Sequence, residues 1–355
     1  MQMRKPKKEE QTMAAPNPLQ LSPPTCEDRL IWDVERSSFH FPTLAAADEL
    51  GLFPLLDSDP MTAAQVARAL SLGPRATEAL LGVLTSLGFL AQSQGHFGLT
   101  EVSRVYLLPC RPYYRGSIIK LFGNAPLTSA TILEALKKER ASAYGGADMW
   151  ETHEMAPALA EGFTHAMHCQ SLPLAMGVAL NGDFHGIKRV LDVGGGSGCF
   201  CIVVAQRWPE TTFTIMELPG VRKVAQRYIA ENGLEDRIDT VELNMFRDPW
   251  PTGYDGILFS NIFHDWDRNR CLFLSRRAFE ALPSGGRIFV NEMLLDETKD
   301  RPLAATSFSM TMMVYTQGKQ YSATELRGIL SESGFEDIQV TPTHCYYSLA
   351  TASKG

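Results

Sequence analysis

The sequence offers no Cys-x-x-Cys pair and no zinc-ligand spacing; its seven cysteines, Cys26, Cys110, Cys169, Cys199, Cys201, Cys271 and Cys345, are odd in number and scattered. They read as reduced thiols of a cytoplasmic protein rather than a disulfide framework. There is no unbroken apolar run long enough to cross a bilayer, because each candidate is interrupted by charge, Gly or Pro. Positive charge is also short: 33 basic against 40 acidic residues leave a net charge of −7, so no global field is available to hold a phosphate backbone. Nucleic acid and membrane are therefore not expected partners.

What is present is enough for a substantial core. In 355 residues, 45% of them hydrophobic, two domains are more natural than one. Residues 1–25, basic at first and then proline-rich, lack the apolar stretch of a signal peptide and read as a disordered tail. Residues 26–112 carry a helical pattern with Phe41, Leu44 and Ala45 as one buried stripe, Gly51 as a stop, and Thr62 capping the next helix. A further helix from Pro74 and a hairpin around Gln94-Gly95-His96 complete a winged-helix pattern. Its second helix presents Leu80, Leu81, Val83, Leu84 and Leu87 where a groove-reading helix would present Arg, Lys, Asn or Gln. That apolar surface points instead to a homodimer, with Leu81 and Leu84 as contacts. Residues 113–180 read as a helical linker and substrate-covering region. Residues 181–355 alternate strands and helices, the pattern of an α/β Rossmann-like, mostly parallel sheet with helices on both faces.

The most informative run is Leu191-Asp192-Val193-Gly194-Gly195-Gly196-Ser197-Gly198, where an apolar strand breaks into glycines and reopens as a helix. Bare backbone at that turn can approach a ligand at the carboxyl end of the sheet. A dinucleotide fingerprint would want its third glycine at position 199, where this chain has the bulkier Cys199. A sulfonium nucleoside is thus favoured over a nicotinamide cofactor. Glu217 closes the second strand, where its carboxylate can accept both ribose hydroxyls. Asn244-Met245-Phe246, after the third, offers an amide and apolar faces for a base.

Asn261-Ile262-Phe263-His264-Asp265-Trp266 follows the fourth strand on the same side of the sheet. His264 is the candidate general base: an imidazole of ordinary pKa, about 6.5, is largely neutral at pH 7 and can accept a phenol's proton. Glu292, at the end of the fifth strand, is placed to orient it. His165 and His168 share a helix face but have no third ligand at useful spacing, so no metal is expected. Met310, Met312 and Met313 form an adaptable apolar wall.

The glycine run, the Glu217-Leu218-Pro219 turn, Asn244-Met245-Phe246, His264-Asp265-Trp266 and Ser284-Gly285-Gly286 stand in the order found in class I S-adenosylmethionine-dependent O-methyltransferases. The chain resembles that family, in particular its caffeate-type, acetylserotonin and bacterial natural-product members, from about residue 30 to the end. The resemblance implies a seven-stranded catalytic sheet behind a winged-helix dimerisation domain. It also implies a cofactor site of Gly194, Gly195, Gly196, Gly198, Glu217, Leu218, Asn244, Met245, Phe246, Ser260 and Ser171. An acceptor pocket would hold Phe163, Met167, Met310, Met313 and Gln320, with Asn124 and Trp150 beside them. Caffeate-type enzymes carry a lysine at Ser260, an aromatic at Asn261, and a second glutamate at Gln320. An amide cannot stabilise an imidazolium as a carboxylate does, so orientation of His264 rests on Glu292 or Asp265. The expected activity is methyl transfer to a hydroxyl of a small aromatic or natural-product acceptor. Its rivals are C- or N-methylation and a non-catalytic cofactor-binding dimer.

Overall fold

The computed structural model describes residues 22–123, 127–143 and 149–355. The N-terminal part begins with helices α1 (Arg29–Ser37), α2 (His40–Glu49) and α3 (Leu52–Leu55). A short strand β1 (Met61–Thr62), helices α4 (Ala63–Ala69) and α5 (Pro74–Ser86), strands β2 (Leu90–Ser93) and β3 (His96–Leu99), and helix α6 (Glu101–Tyr106) follow. The three strands form a small antiparallel sheet in the order β1-β3-β2, the wing of a winged helix. Thr62 caps α4 in a full capping box with Gln65, and Gly51 turns the chain in a left-handed conformation, φ 72°.

Of the expected α2 stripe, Leu44 and Ala45 pack half-buried on the domain core, whereas Phe41 is 38% exposed and turns its ring toward Phe122, 6.5 Å between ring centroids; only Ala47 of α2 is fully buried. Leu81 and Leu84 are both 0% exposed. With Thr77 they form the single inward stripe of α5, packed on Leu52, Phe53, Leu56 and Val66 of their own domain, so they are not dimer contacts. The uncovered apolar surface belongs instead to α1, which buries no residue and leaves Leu30, Ile31, Trp32 and Val34 each more than half exposed.

Helices α7 (Gly116–Gly123), α8 (Ser129–Lys138), α9 (Met149–Met155) and α10 (Pro157–Asn181) lead into the α/β part. There a seven-stranded sheet is built from β4 (Arg189–Val193), β5 (Thr212–Glu217), β6 (Ile238–Glu242), β7 (Gly256–Ser260), β8 (Arg287–Met293), β9 (Glu336–His344) and β10 (Tyr347–Ser353). The strand order is β6-β5-β4-β7-β8-β10-β9, parallel except for β10, which runs against both neighbours. The alternation of side chains along each strand divides the core in two. Val190, Ile215, Leu258 and Phe289 face α10, α11 (Cys199–Arg207) and α12 (Pro219–Glu231). Leu191, Met216, Ile257 and Val290 face α13 (Arg268–Ala281) and α15 (Ala323–Glu332). Helix α10 ends at Asn181, at the sequence-based boundary near residue 180, yet it packs into the α/β part, since its Leu174, Ala175 and Val178 belong to the first of these cores. A long helix α14 (Leu303–Tyr315) precedes α15. Order reverses between β4 and β7, where a chain of this topology opens its ligand crevice. None of the described helices is long and apolar enough to cross a membrane.

Candidate active site

A cavity of about 1930 Å³ opens at that crevice and runs from the glycine turn to helices α2 and α7. Gly194 and Gly196 adopt φ of 70° and 57°, which L side chains avoid. A Cβ on Gly194 would lie 2.6 Å from Ile262, whereas one on Gly196 would meet nothing within 4 Å and would project into open space at the cavity wall. Two acids that have no cationic partner among the described residues flank this turn. Asp192 is 1% exposed, and its Oδ2 accepts from the Cys201 thiol at 3.0 Å while Oδ1 has no partner among the described residues. Burial outweighs the thiol's hydrogen bond and raises Asp192 to about 7. Burial, opposed by the Leu218 amide and aided by the charge of Asp192, raises Glu217 to about 8. Two desolvated carboxyls at the wall of a glycine cradle match a ligand that brings its own donors, an ammonium and vicinal hydroxyls.

Further round the wall, the Asn244 side-chain oxygen is already committed, accepting from Phe246 N at 3.0 Å, which leaves only its amino group to face a ligand. The Met245 carbonyl accepts from Trp250 and Arg277, each at 3.0 Å, fixing this turn against α13. Phe246 meets Trp266 edge-on at 4.7 Å, with Arg270 over both rings. Ser171, Leu218 and Ser260 also line the cavity; the Ser260 hydroxyl accepts from Asn291 at 3.1 Å.

His264 sits in a short 3-10 turn, Phe263–Asp265, just beyond β7. Its Nδ1 lies 2.6 Å from Glu292 Oε2, and its Nε2 lies 3.6 Å from Asp265 Oδ1. The other Glu292 oxygen accepts from the amides of Ile262 at 3.0 Å and Phe263 at 2.8 Å. One carboxylate thus holds both the ring and the backbone that carries it. Phe308 of α14 tilts over the ring at 5.1 Å. Gly318 packs so closely that a Cβ there would fall on the His264 carbonyl and the Trp266 amide, and Gln317 N donates to the Asp265 carbonyl at 3.2 Å.

The imidazole does not keep the ordinary pKa that the sequence reading assumed. Burial alone would lower it, but the charges of Glu292 and Asp265, with the Glu292 hydrogen bond, reverse that and raise it to about 9. Were His264 to serve as a base it would have to be neutral, and kcat/KM would then climb with pH and level off near 9; a profile flat from pH 6 to 9 would contradict that role. Stability carries the opposite sign. The pair's contribution is fully present below the unfolded value of 6.5 and is lost as pH rises through about 9.

Of the residues expected around an acceptor, Trp150, Phe163 and Met167 line the cavity, joined by His153, whose ring lies 5.0 Å from Phe163. Met310 and Met313 do not line it. Helix α14 turns Ser307, Phe308, Thr311, Met312 and Tyr315 inward, a face set by its 3.6-residue period, so Met312 is the wall methionine. Gln320 is fully buried away from the cavity lining, and neither side-chain polar atom has a hydrogen-bond partner among the described residues. Asn124 lies outside the described residues. His165 and His168 are engaged locally: His165 Nδ1 is 2.7 Å from the Tyr228 hydroxyl, and His168 stacks on the Tyr228 ring at 3.7 Å with Nδ1 2.8 Å from Ser197. No group of three or more potential metal ligands occurs among the described residues.

Residues 130–336 match the O-methyltransferase domain family, and residues 36–109 match the O-methyltransferase dimerisation domain. The chain belongs to the O-methyltransferase family. It is 33% identical to a 3-hydroxy-5-methyl-1-naphthoate 3-O-methyltransferase of Streptomyces sahachiroi over 87% of this chain and 90% of that one. It is 29% identical to an L-tyrosine C(3)-methyltransferase of Streptomyces lavendulae, covering 83% of each. The crystal structure of human N-acetylserotonin methyltransferase in complex with S-adenosylmethionine superposes with a TM-score of 0.80 at 27% identity, over 94% of this chain and 99% of that one. Against this methyltransferase fold, the sequence reading missed Asp192, Asn261 and, beside the Met312 it had named with Met310 and Met313, the Ser307, Phe308 and Thr311 of the same helix face. Asp192 carried a usable signal, an acid at the end of the strand that feeds the glycine turn. Asn261 gave none: its φ of 57° and its buried, unpartnered side-chain oxygen on the cavity wall are visible only in three dimensions.

Proposed function

We propose that this protein transfers a methyl group from S-adenosylmethionine to a hydroxyl of a small phenolic or enolic acceptor, with His264 as general base. The observation that carries the reading is the buried 2.6 Å contact between His264 and Glu292 beside a glycine cradle walled by two acids that have no cationic partner among the described residues. Asp192, the turn from Gly194 to Gly198, Glu217, Leu218, Asn244, Met245, Phe246, Ser260 and Ser171 would hold the donor. When bound, its sulfonium supplies a methyl carbon already open to nucleophilic attack. The chain's own residues do the rest. Glu292, an acceptor, keeps the proton on Nδ1 and leaves Nε2 to take a proton from the acceptor's hydroxyl. With the imidazole raised to about 9 and a phenol near ~10, that transfer is close to balanced. Trp150, Phe163, Met167, Phe308 and Met312 bring a flat ring up to it, and holding two reactants in this way is worth as much as roughly 7–11 kcal/mol.

Calorimetry should give one site per chain for S-adenosylhomocysteine and none for NAD, and methyl-labelled S-adenosylmethionine should label at least one member of a phenol and enol panel. Binding without transfer to phenols, enols or amines would favour the non-catalytic dimer. We further propose that a second copy of the chain covers the apolar face of α1. Sedimentation should show a two-chain mass at micromolar protein that falls to one chain in Ile31→Glu/Trp32→Glu; a monomeric wild type would contradict it.

A further inference from the structure

Two polar groups of the cavity lining have no side-chain partner among the described residues. Arg115, the residue before α7, is held in place by its backbone, whose amide donates to the Tyr106 carbonyl at 2.9 Å. Its side chain is only partly exposed and lines the cavity. Among the described residues it has no side-chain hydrogen bond, no carboxylate at ion-pair distance and no aromatic ring beneath it. By contrast, Arg227 at the donor end is paired with Glu161 at 2.8 Å, and Arg270 lies over the Trp266 ring at 4.7 Å. The second group is the Tyr347 hydroxyl. This tyrosine is 5% exposed, lines the same cavity, and its hydroxyl has no hydrogen-bond partner among the described residues.

Register ties this pair to the catalytic end. On β10, Tyr347 stands opposite Met293 and Ser348 opposite Glu292, so Tyr347 is one strand position from the residue that orients the base. Its hydroxyl lies within electrostatic reach of both Glu292 and Arg115. The walls around Arg115 are apolar: Tyr106, Leu107, Ile118, Ile119 and Phe122 line the same region. A guanidinium lining a cavity among apolar walls, with no counter-charge at ion-pair distance among the described residues, is suited to an anion, and its planar fork matches a carboxylate in particular. A buried tyrosine hydroxyl can donate to the same oxygens.

We propose that Arg115 and Tyr347 form an anion-recognition subsite and that the acceptor is a hydroxyaryl carboxylate, its carboxylate held by these two residues and its hydroxyl presented to His264. This rests on the methyl-transfer reading above and narrows it to a substrate class. A neutral phenol would leave both groups unsatisfied, so the subsite selects against decarboxylated or amidated analogues of the same shape.

The test is calorimetry on the full chain saturated with S-adenosylhomocysteine, titrating 3-hydroxy-1-naphthoate and 3-hydroxybenzoate against their carboxamides. Wild type should bind at least one acid about 10- to 100-fold more tightly than its amide, the range for hydrogen bonds to a charged group. Arg115→Gln should abolish that preference, Arg115→Lys should restore part of it, and Tyr347→Phe should reduce it several-fold, with affinity for S-adenosylhomocysteine unchanged in all three. Equal binding of acid and amide by wild type, no binding of either acid, or a preference that survives Arg115→Gln would overturn the assignment and leave methyl transfer standing. A parallel fall in S-adenosylhomocysteine affinity would overturn it too, by giving the guanidinium to the donor's carboxylate. Only a wild type that binds no S-adenosylhomocysteine at all would remove the methyl-transfer reading and this assignment together.

Discussion

His264→Ala is expected to lower kcat/KM for a phenolic acceptor by about 10²- to 10⁴-fold, the usual worth of a positioned general base, and to leave affinity for S-adenosylhomocysteine nearly unchanged. The two effects should separate because most of the residues proposed to hold the donor lie at the β4 and β5 ends and in the Asn244–Phe246 turn, and only Ser260 shares the end of β7 that leads to the imidazole's turn. Truncation also leaves Glu292 Oε2 buried without its partner, which costs about 1–3 kcal/mol of stability and has to be separated from the catalytic loss by thermal unfolding. The pH dependence provides that control. The limb that rises toward pH 9 in wild type should vanish in His264→Ala, which a merely destabilised enzyme would not show. Equal turnover by wild type and variant would remove His264 from the chemistry.

Glu292→Gln is expected to cost about as much, on the order of 10²- to 10⁴-fold in kcat, by the same logic as an amide replacing a triad carboxylate. The carboxylate meets three donors: the Ile262 and Phe263 amides on one oxygen and His264 Nδ1 on the other. An amide has only one oxygen. If it keeps the backbone amides, its NH₂ faces Nδ1, the ring must move its proton to Nε2, and the base is lost. If it turns round, two backbone N–H groups face an NH₂ and the turn loosens. Loss of the negative charge also removes the largest influence that raises the imidazole, so any residual activity should level off well below pH 9. A pH profile identical to wild type would mean that Glu292 acts only as a backbone tie.

The parts legible in sequence were those with a short-range physical signature. The strand-to-glycine transition at Val193–Gly198 located the cradle, and the alternation of strand-like and helical segments after residue 181 located the parallel sheet, because both depend on local backbone requirements. The Ile262–His264 turn and Glu292 were readable as a pair only because both fall at strand ends, which the sheet brings to one rim. Helix faces were less legible. On α14 three methionines within four positions made the apolar side ambiguous, and the structure turned Met312, not Met310 or Met313, into the cavity. On α5 an apolar stripe looked like a surface, yet it is the inward side of its own domain; the uncovered stripe lies on α1. The raised pKa of His264 was hidden for another reason: it comes from carboxylates positioned by burial, and spacing along the chain carries no measure of dielectric.

Proton removal from a phenol activates its ring carbons as well as its oxygen, so loss of activity in His264→Ala does not by itself tell O- from C-methylation. The decisive measurement is the position of a ¹³C-labelled methyl group in the product of a phenolic acceptor, read by carbon NMR. The account predicts an aryl methyl ether formed by wild type and not by His264→Ala. A label bonded to ring carbon, or an ether formed equally well without the imidazole, would contradict it.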